Sequence, residues 1–425
     1  MKIYNSYKDS NIEWIGKIPS HWTILRGKYW TKIISGFAFD SNKFTKEEGY
    51  IGLIRIRDIY KTETEMNYKG SYSKDAIVQT GDILIGMDGD FNIERWKGKP
   101  ALLNQRVCKI CNTKKGNENY LFYLLPRLLK CINDVTYSTT VKHLSVYDII
   151  NSELPLPPLS EQQAIATYLD KKCGEINHAI DVQKNKIDLL GELKQTIITD
   201  AVTKGLNPNA PMKDSGVEWI GEVPQHWEVR RLKTLCKSIR NGYVGPTRDL
   251  YQEFGIPYIQ SVHIKDGDIL FEREEYYVSE EWAKKHPKIK KGNILVVQTG
   301  DIGQIALVNA KYDLCNCHAL IILDINNNVI SSEFLSLYLR SNIGKELMLQ
   351  TKTGALLPHL NSTQIGSTKA LLPSFQEQQS IVAYIEKETT KIDSQITKAN
   401  RRIELLEELK QSIITEAVTG KIKVC

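Results

Sequence analysis

The chain is one unit written twice, and that duplication limits its folds more than any other feature. Asp9, Ser10, Glu13, Trp14, Ile15, Gly16, Pro19, His21 and Trp22 recur as Asp214, Ser215, Glu218, Trp219, Ile220, Gly221, Pro224, His226 and Trp227, an offset of 205 residues. Farther along, His143-Leu144 recurs as His359-Leu360, an offset of 216. That offset holds without a gap through Pro157/Pro373, Glu161-Gln162-Gln163/Glu377-Gln378-Gln379 and Leu193-Lys194-Gln195/Leu409-Lys410-Gln411, and ends at Ala201-Val202-Thr203/Ala417-Val418-Thr419. The insertions therefore lie in the middle of each unit. Each unit reads as a tryptophan box, then a variable globular part, then a long uniform segment.

The uniform segment has the marks of a helix. Pro155, Pro157 and Pro158 stop what precedes it, and Ser160-Glu161-Gln162-Gln163 and Ser374-Phe375-Gln376-Glu377 have the pattern of capping boxes. Apolar residues then recur at alternating steps of four and three. They are Leu169, Cys173, Ile176, Ile180, Ile187, Leu190 and Ile197 in the first copy, and Ile385, Ile392, Ile396, Ile403, Leu406 and Ile413 in the second. Such steps make a coiled-coil seam. Gly205 and Pro208 end the first helix, which from Glu161 to Thr203 would span roughly 65 Å. A helix that long with one apolar stripe needs a partner, and its own copy is the nearest one. The other reading is two independent surface helices, each on its own globular part.

The globular parts read as α+β. Gly49 to Ile59 alternates apolar and polar residues as a half-buried strand does. Asp82 to Met87, Arg106 to Ile110, Asn293 to Gln298 and Ala319 to Ile325 are short β-prone runs bounded by turn residues, whereas Tyr120 to Ile132 and Ser332 to Leu349 have helical spacing. At 425 residues and 41% hydrophobic, the chain is long enough for two or three domains with real cores. Its formal net charge of +6 is compatible with a polyanionic partner without requiring one. No run is apolar enough for a membrane span, residues 1–10 lack a signal-peptide core, and the cysteines are scattered, so a reduced, cytoplasmic protein is expected.

The motifs of several chemistries are missing. There is no Asn or Asp beside two prolines and an aromatic to hold a flipped base, as amino-group methylation of DNA requires, since Asn207-Pro208-Asn209 is a helix stop. Neither a dinucleotide-binding glycine loop nor a phosphate-binding P-loop is present. Glu192-Leu193-Lys194 and Glu408-Leu409-Lys410 have the letters of a nuclease motif but lie on the exposed face of a helix with no acid partner nearby, and read as solvated charge. Cys108-Lys109-Ile110-Cys111 and Cys315-Asn316-Cys317-His318 invite a zinc reading. In a strand, however, Cys108 and Cys111 point to opposite faces, and the other unit has Leu103 and Gln105 where Cys315 and Cys317 stand, so no metal site is expected.

The box from Asp214 to Trp227 resembles the one that opens each half of the specificity subunits of Type I restriction-modification systems. So does the run Leu-Pro-Leu-Pro-Pro-Leu-Ser-Glu-Gln-Gln ending at Gln163, followed by a heptad helix. The resemblance covers essentially the whole chain. One departure is the second pre-helix run, ending at Gln379, which has one proline where the first has two adjacent. The resemblance implies a target-recognition domain at 1–156, a spacer helix at 157–206, a second recognition domain at 207–372 and a second spacer helix at 373–425. The helices would pair antiparallel and set the distance between domains that each read half of an asymmetric, interrupted site in double-stranded DNA. It implies as partners two methylation subunits, which bind S-adenosylmethionine and methylate adenine, and restriction subunits, which translocate and cut DNA using ATP and Mg²⁺. This chain would then carry no cofactor and no catalysis. The rivals are a nuclease with an unrecognised site and a structural coiled-coil adaptor.

On that reading, DNA contacts are sought where core letters persist between units while polar letters change. With an offset of 206, Leu53 and Ile56 match Ile259 and Val262, whereas Arg55 and Arg57 match Ser261 and His263; Ile54 against Gln260 spoils the pattern. A second candidate is the loop from Asp88 to Lys99, with Asn92, Arg95, Trp96, Lys97 and Lys99, opposite Gln298, Thr299 and Gln304. A third is Arg240, Asn241 and Tyr243 with Arg248, opposite Ser35-Gly36-Phe37 and Lys43. Lys142 with His143, and Lys352 with His359, suit either phosphate contact or structural capping. Trp14, Trp22, Trp219 and Trp227 are identical in both units and cannot distinguish two half-sites, so an apolar clasp between globular part and helix is expected of them.

Overall fold

A computed structural model of the chain describes residues 3–29, 31–112, 115–135, 142–353 and 359–424. The chain forms two compact units, Met1–Gln183 with Arg401–Cys425, and Lys184–Asn400. The long helices run over Leu159–Lys204 and Phe375–Val418, so each unit holds one globular part and a portion of both helices.

In the first unit, a four-stranded antiparallel sheet has the order Ile93–Arg95, Ile83–Gly86, Val107–Asn112, Thr31–Ser35. A second sheet has the order Phe44–Thr45, Asn67–Tyr68, Ile51–Ile54, Ala101–Leu103, Ile77–Val78, and in it Ile51–Ile54 and Ala101–Leu103 are parallel. The strand Ile83–Gly86 is buried on both faces. Ile83 and Ile85, with Cys108 and Ile110, face a core shared with the helix Glu118–Val135 and both long helices. Leu84, with Val107, faces a second core with Ile54, Leu103 and Trp96. The period-two alternation of a strand thus feeds two cores from one element.

The second unit repeats the plan. Its four-stranded sheet has the order Cys236–Asn241, Leu320–Ile325, Ile294–Val297, Ile305–Leu307, and the strand Ile256–Ile259 lies parallel to Asn316–Cys317. Ile294, Val296, Ile321 and Leu323 pack with Phe334, Leu335 and Tyr338, whereas Leu295, Val297, Leu320 and Ile322 face the other core. The helical run expected from Ser332 to Leu349 is two helices, Ser332–Arg340 and Asn342–Leu349. Ser341 breaks it, because its Oγ accepts the Gly344 N–H at 3.1 Å and starts a new helix.

The long helices pair antiparallel. In the first unit Lys410 Nζ donates to Asn177 Oδ1 at 2.8 Å. In the second unit Lys194 Nζ donates to Asp393 at 2.7 and 2.9 Å. Position 177 is the repeat equivalent of 393, as 194 is of 410, so the same contact is made twice with one polar partner exchanged. The lysines of the two Glu-Leu-Lys triplets therefore reach across the helix pair in exposed contacts, and Glu192 and Glu408 are exposed, as solvated charges are. Leu169, Cys173, Ile176, Ile180, Leu190, Ile385, Ile392 and Ile413 of the seam are buried, whereas Ile187, Ile197, Ile396, Ile403 and Leu406 are only half-buried. Two strands of a coiled coil leave the flanks of their seam open to water.

Two elements differ from expectation. In the second copy half of the capping box forms, with Ser374 Oγ accepting the Glu377 N–H at 3.3 Å while the Glu377 carboxylate turns to His226. In the first copy the helix begins at Leu159, and the Pro158 carbonyl accepts the N–H groups of Glu161 and Gln162, leaving Ser160 exposed. The run from Gly49 to Ile59 is a strand only over Ile51–Ile54. A 3₁₀ turn, Ile56–Asp58, follows because an Asp58 carboxylate oxygen accepts the Arg55 N–H at 3.0 Å.

The duplicated motifs lock each globular part to the helices. The Gln162 side chain donates Nε2–H to the Pro157 carbonyl (2.9 Å) and accepts the Asn117 N–H (2.9 Å). Gln378 does the same between the Pro373 carbonyl (2.9 Å) and the Ser331 N–H (2.7 Å). His21 lies 2.8 Å from Glu161, and His226 lies 2.9 Å from Glu377. Trp22 is fully buried in a core with Ala417, Val418 and Ile422, and Trp227 in one with Ile198, Ala201 and Val202. At Gly420 (φ +71°) a Cβ would stand 2.3 Å from Pro19 Cδ and 3.0 Å from the Trp22 ring, so the helix end needs glycine both for its left-handed turn and for space. Trp22 and Trp227 are thus the apolar clasp. Trp14 is only half-buried, and Trp219 is 56% exposed and takes no part in it.

Candidate nucleic-acid interface

In each unit the parallel strands set a direction, and loops from distant parts of the chain meet at their carboxyl ends. In the first unit, Ile51–Ile54 leads into Arg55–Arg57, and Ile83–Gly86 leads into Met87–Gly89. Ala101–Leu103 leads into the turn 104–106. The Asn104 N–H donates to the Ile54 carbonyl (3.2 Å), the Met87 N–H to Arg106 (3.0 Å), the Leu144 N–H to Met87 (2.7 Å) and the Gly89 N–H to Lys142 (3.0 Å). These main-chain bonds make one rim.

The second unit builds the same rim. The His318 N–H donates to the Ile259 carbonyl (2.8 Å), and the Leu360 N–H to Gln298 (3.0 Å). The equivalences run Ile54 to Ile259, Met87 to Gln298 and Leu144 to Leu360. The 205-residue offset of the tryptophan box therefore persists as far as Ile54, in place of the 206 expected from the sequence. Arg55 matches Gln260, Arg57 matches Val262, and Asp58 matches His263, which removes the mismatch at Ile54. Asp58 and His263 do one job: each accepts the main-chain N–H three residues before it, from Arg55 at 3.0 Å and from Gln260 at 2.9 Å.

The rim sorts the expected contact residues. In the first unit Arg57 and Asn92 are exposed there, Asn92 by virtue of its carbonyl accepting the Gly86 N–H (2.8 Å). Arg55 is held by Asp58 (3.3 Å) and Glu65 (2.8 Å). Lys142 donates to the Asn133 carbonyl at 2.5 Å and so caps the end of a helix. Lys43, Lys97 and Lys99 are exposed but lie toward the opposite ends of the strands, beside Phe44 and before Ala101. Arg95, also away from the rim, donates to Asn119 Oδ1 (2.9 Å) over the Phe122 ring. The segment expected as a basic loop is partly the strand Ile93–Arg95, and Trp96 is buried, its indole donating to the Lys99 carbonyl at 2.7 Å.

In the second unit, Asn241 and Thr299 are exposed and Gln298 and Gln304 half-exposed along the rim, where the Val297 N–H donates to Gln304 (2.9 Å). Tyr243 packs edge-on against Trp282 and His286, each 5.0 Å away. Arg240 donates to the Lys288 carbonyl at 2.6 Å. Lys352 and Arg248 are exposed. His263 is fully buried between Gln260 and the Glu274 carbonyl, so it has no surface with which to meet a ligand. Burial also holds its pKa below the ordinary imidazole value.

Cys108, Cys315 and Cys317 are buried. Burial pushes the thiols of Cys108 and Cys317 up to about 12 and that of Cys315 to about 11. Among the described residues no group of three or more His, Cys, Asp or Glu side chains is placed to hold a metal ion, and no helix is long and apolar enough to cross a membrane.

A common scaffold, written twice on a shared antiparallel helix pair with its polar side chains exchanged at one sheet end, defines a two-module recognition protein. The family model described as the Type I restriction modification DNA specificity domain matches residues 19–186 and 224–407, and the chain belongs to that family. It is 30% identical over 423 residues to the Type I restriction enzyme EcoBI specificity subunit of Escherichia coli, covering 97% of this chain and 89% of that one. It is 25% identical over 436 residues to the MjaVIII specificity subunit of Methanocaldococcus jannaschii, covering 99% and 98%. A solved chain from work on complex assembly and conformational transition of the type I R-M system shares the fold with a TM-score of 0.70 at 17% identity, covering 95% of this chain and 99% of that one.

Proposed function

We propose that this chain is the non-catalytic reader of a Type I restriction-modification complex. Each module, one within residues 1–156 and the other within 207–372, reads one half of an interrupted DNA target through its sheet rim. The observation that carries this is the rim itself: the main-chain hydrogen bonds accepted by Ile54 and Met87 recur at Ile259 and Gln298 while Arg57 is exchanged for Val262 and Met87 for Gln298. A shared scaffold with exchanged surface chemistry is what two readers of unlike half-sites need. Arg57, Asn92, Asn241, Gln298, Thr299 and Gln304 are the contacts favoured. Lys43, Lys97, Lys99, Arg248 and Lys352 are exposed cations suited to phosphate. Methylation of adenine from S-adenosylmethionine, and cleavage driven by ATP, belong to two methylation subunits and the restriction subunits that assemble on the chain.

Replacing residues 20–150 by those of another family member, in complex with the methylation partner, should change one half of the methylated motif and leave the other intact. If both halves change together, the two-reader function is wrong. Affinity for the cognate duplex should also fall steeply with salt, because neutralised phosphates release counterions. Flat affinity would favour a structural adaptor, and cutting of DNA by the purified chain alone with Mg²⁺ would favour a nuclease.

A further inference from the structure

Resting on that function, we propose that Arg106 is a specificity-determining residue, its guanidinium presented on the first rim by Asp88 and His143 to read the edge of a guanine. Arg106 ends the turn between Ala101–Leu103 and Val107–Asn112, and its carbonyl is fixed by the Met87 N–H at 3.0 Å. Its Nη1 lies 3.4 Å from Asp88 Oδ1 and 3.4 Å from His143 Nδ1, and those two atoms are 2.7 Å apart. The side chain is 53% exposed, and among the described residues both of these contacts are made through Nη1.

Such exposed ion pairs contribute little to folding, so stability alone gives no reason for three groups to converge here. The second unit makes this plain. Its turn is one residue shorter, His318-Ala319 between Cys317 and Leu320 where the first unit has Asn104-Gln105-Arg106 between Leu103 and Val107. Thr299 stands where Asp88 does, whereas His359 keeps the place of His143. The arginine and the carboxylate beside it are thus both missing from the second unit, although the bonds from Asn104 to Ile54 and from Leu144 to Met87 have their counterparts from His318 to Ile259 and from Leu360 to Gln298. That is the signature of a reading position. A planar guanidinium matches guanine O6 and N7 with two parallel hydrogen bonds; a lysine, a point charge, does not.

The test uses the chain assembled with its methylation partner. Binding is measured on the cognate duplex, on duplexes altered one base pair at a time, and on random duplex. Arg106→Ala should weaken cognate binding about 5- to 150-fold. It should abolish discrimination at a single G·C pair of one half-site and leave random-duplex affinity and the other half-site unchanged. Arg106→Lys should relax the same position. The assignment is overturned if Arg106→Ala weakens cognate and random duplex equally and lysine restores both, which marks a phosphate contact, or if neither variant changes binding. Failure of the unaltered complex to distinguish cognate from random duplex would instead sink the reading function, independently of Arg106.

Discussion

Trp22 and Trp219 belong to the same duplicated box yet have opposite surroundings, one sealed against the end of a long helix and the other facing solvent. Removing a sealed indole leaves a large cavity, so Trp22→Ala should cost about 3–5 kcal/mol of stability. Trp219→Ala should stay within about 0.5 kcal/mol of the parent. Thermal unfolding of the full chain checks both, and equal losses would contradict the clasp. His263 supplies a pH dependence. Its buried imidazole stays neutral, with Nδ1 accepting from Gln260 and Nε2 donating to Glu274. The unfolded chain takes up that proton near pH 6.5, whereas the folded one does so only at lower pH. In that window the unfolded state binds more protons, so stability should fall as pH drops below about 6.5. Denaturant midpoints between pH 7.5 and 5 measure the slope, and His263→Asn should flatten it; an unchanged slope would assign the dependence elsewhere.

At the scale of elements, the helix pair shows one contact made twice with unequal partners. Lys194 meets a carboxylate at Asp393, whereas Lys410 meets the amide of Asn177. Asn177→Asp should complete the second ion pair and add about 0.2–1 kcal/mol at low salt, a gain that fades as salt is raised. A loss of stability at low salt would show that the side chains do not meet as placed. The buried glutamines explain why Glu-Gln-Gln opens both helices. Each amide joins a proline carbonyl to a main-chain N–H of the globular part, a task an apolar residue cannot perform and that leaves two buried groups unpaired if lost.

For the whole molecule, the proposed function makes the heptad seam a ruler whose length can be tested. Adding one heptad to both helices keeps the apolar stripe aligned and lengthens each by roughly 10 Å. With base pairs rising about 3.4 Å, the preferred spacer between half-sites should grow by up to about three pairs. That also turns the groove by about a third of a turn, so some affinity should be lost even at the best new spacing. Adding four residues instead breaks the seam and should destabilise more. Methylation of a library with variable central spacers reads the outcome, and an unchanged preferred length would refute the ruler.

The duplication, the two long helices, the α+β character of the globular parts and the family are all legible in the residues alone. These rest on local signals, a fixed offset, a 3.5-residue period and prolines before a helix, which survive without knowledge of any long-range contact. The two central strands of each four-stranded sheet were legible for the same reason, since Asp82 to Met87, Arg106 to Ile110, Asn293 to Gln298 and Ala319 to Ile325 fall on Ile83–Gly86, Val107–Asn112, Ile294–Val297 and Leu320–Ile325, whereas the many strands of two to four residues carry too little periodicity to be read. Which polar side chains share a surface emerges with the packing of distant segments. Asp88, Arg106 and His143 meet because three loops are joined by main-chain bonds, and no spacing in the chain announces it. Arg57 and His263 looked equivalent until the turns after Ile54 and Ile259 placed one on the surface and the other, as the counterpart of Asp58, inside. Lys97 and Arg106 are both cations within a few residues of a strand, but strand direction sends them to opposite ends of the sheet. Direction and burial arise from pairing between distant segments, and that pairing leaves no trace in the local pattern.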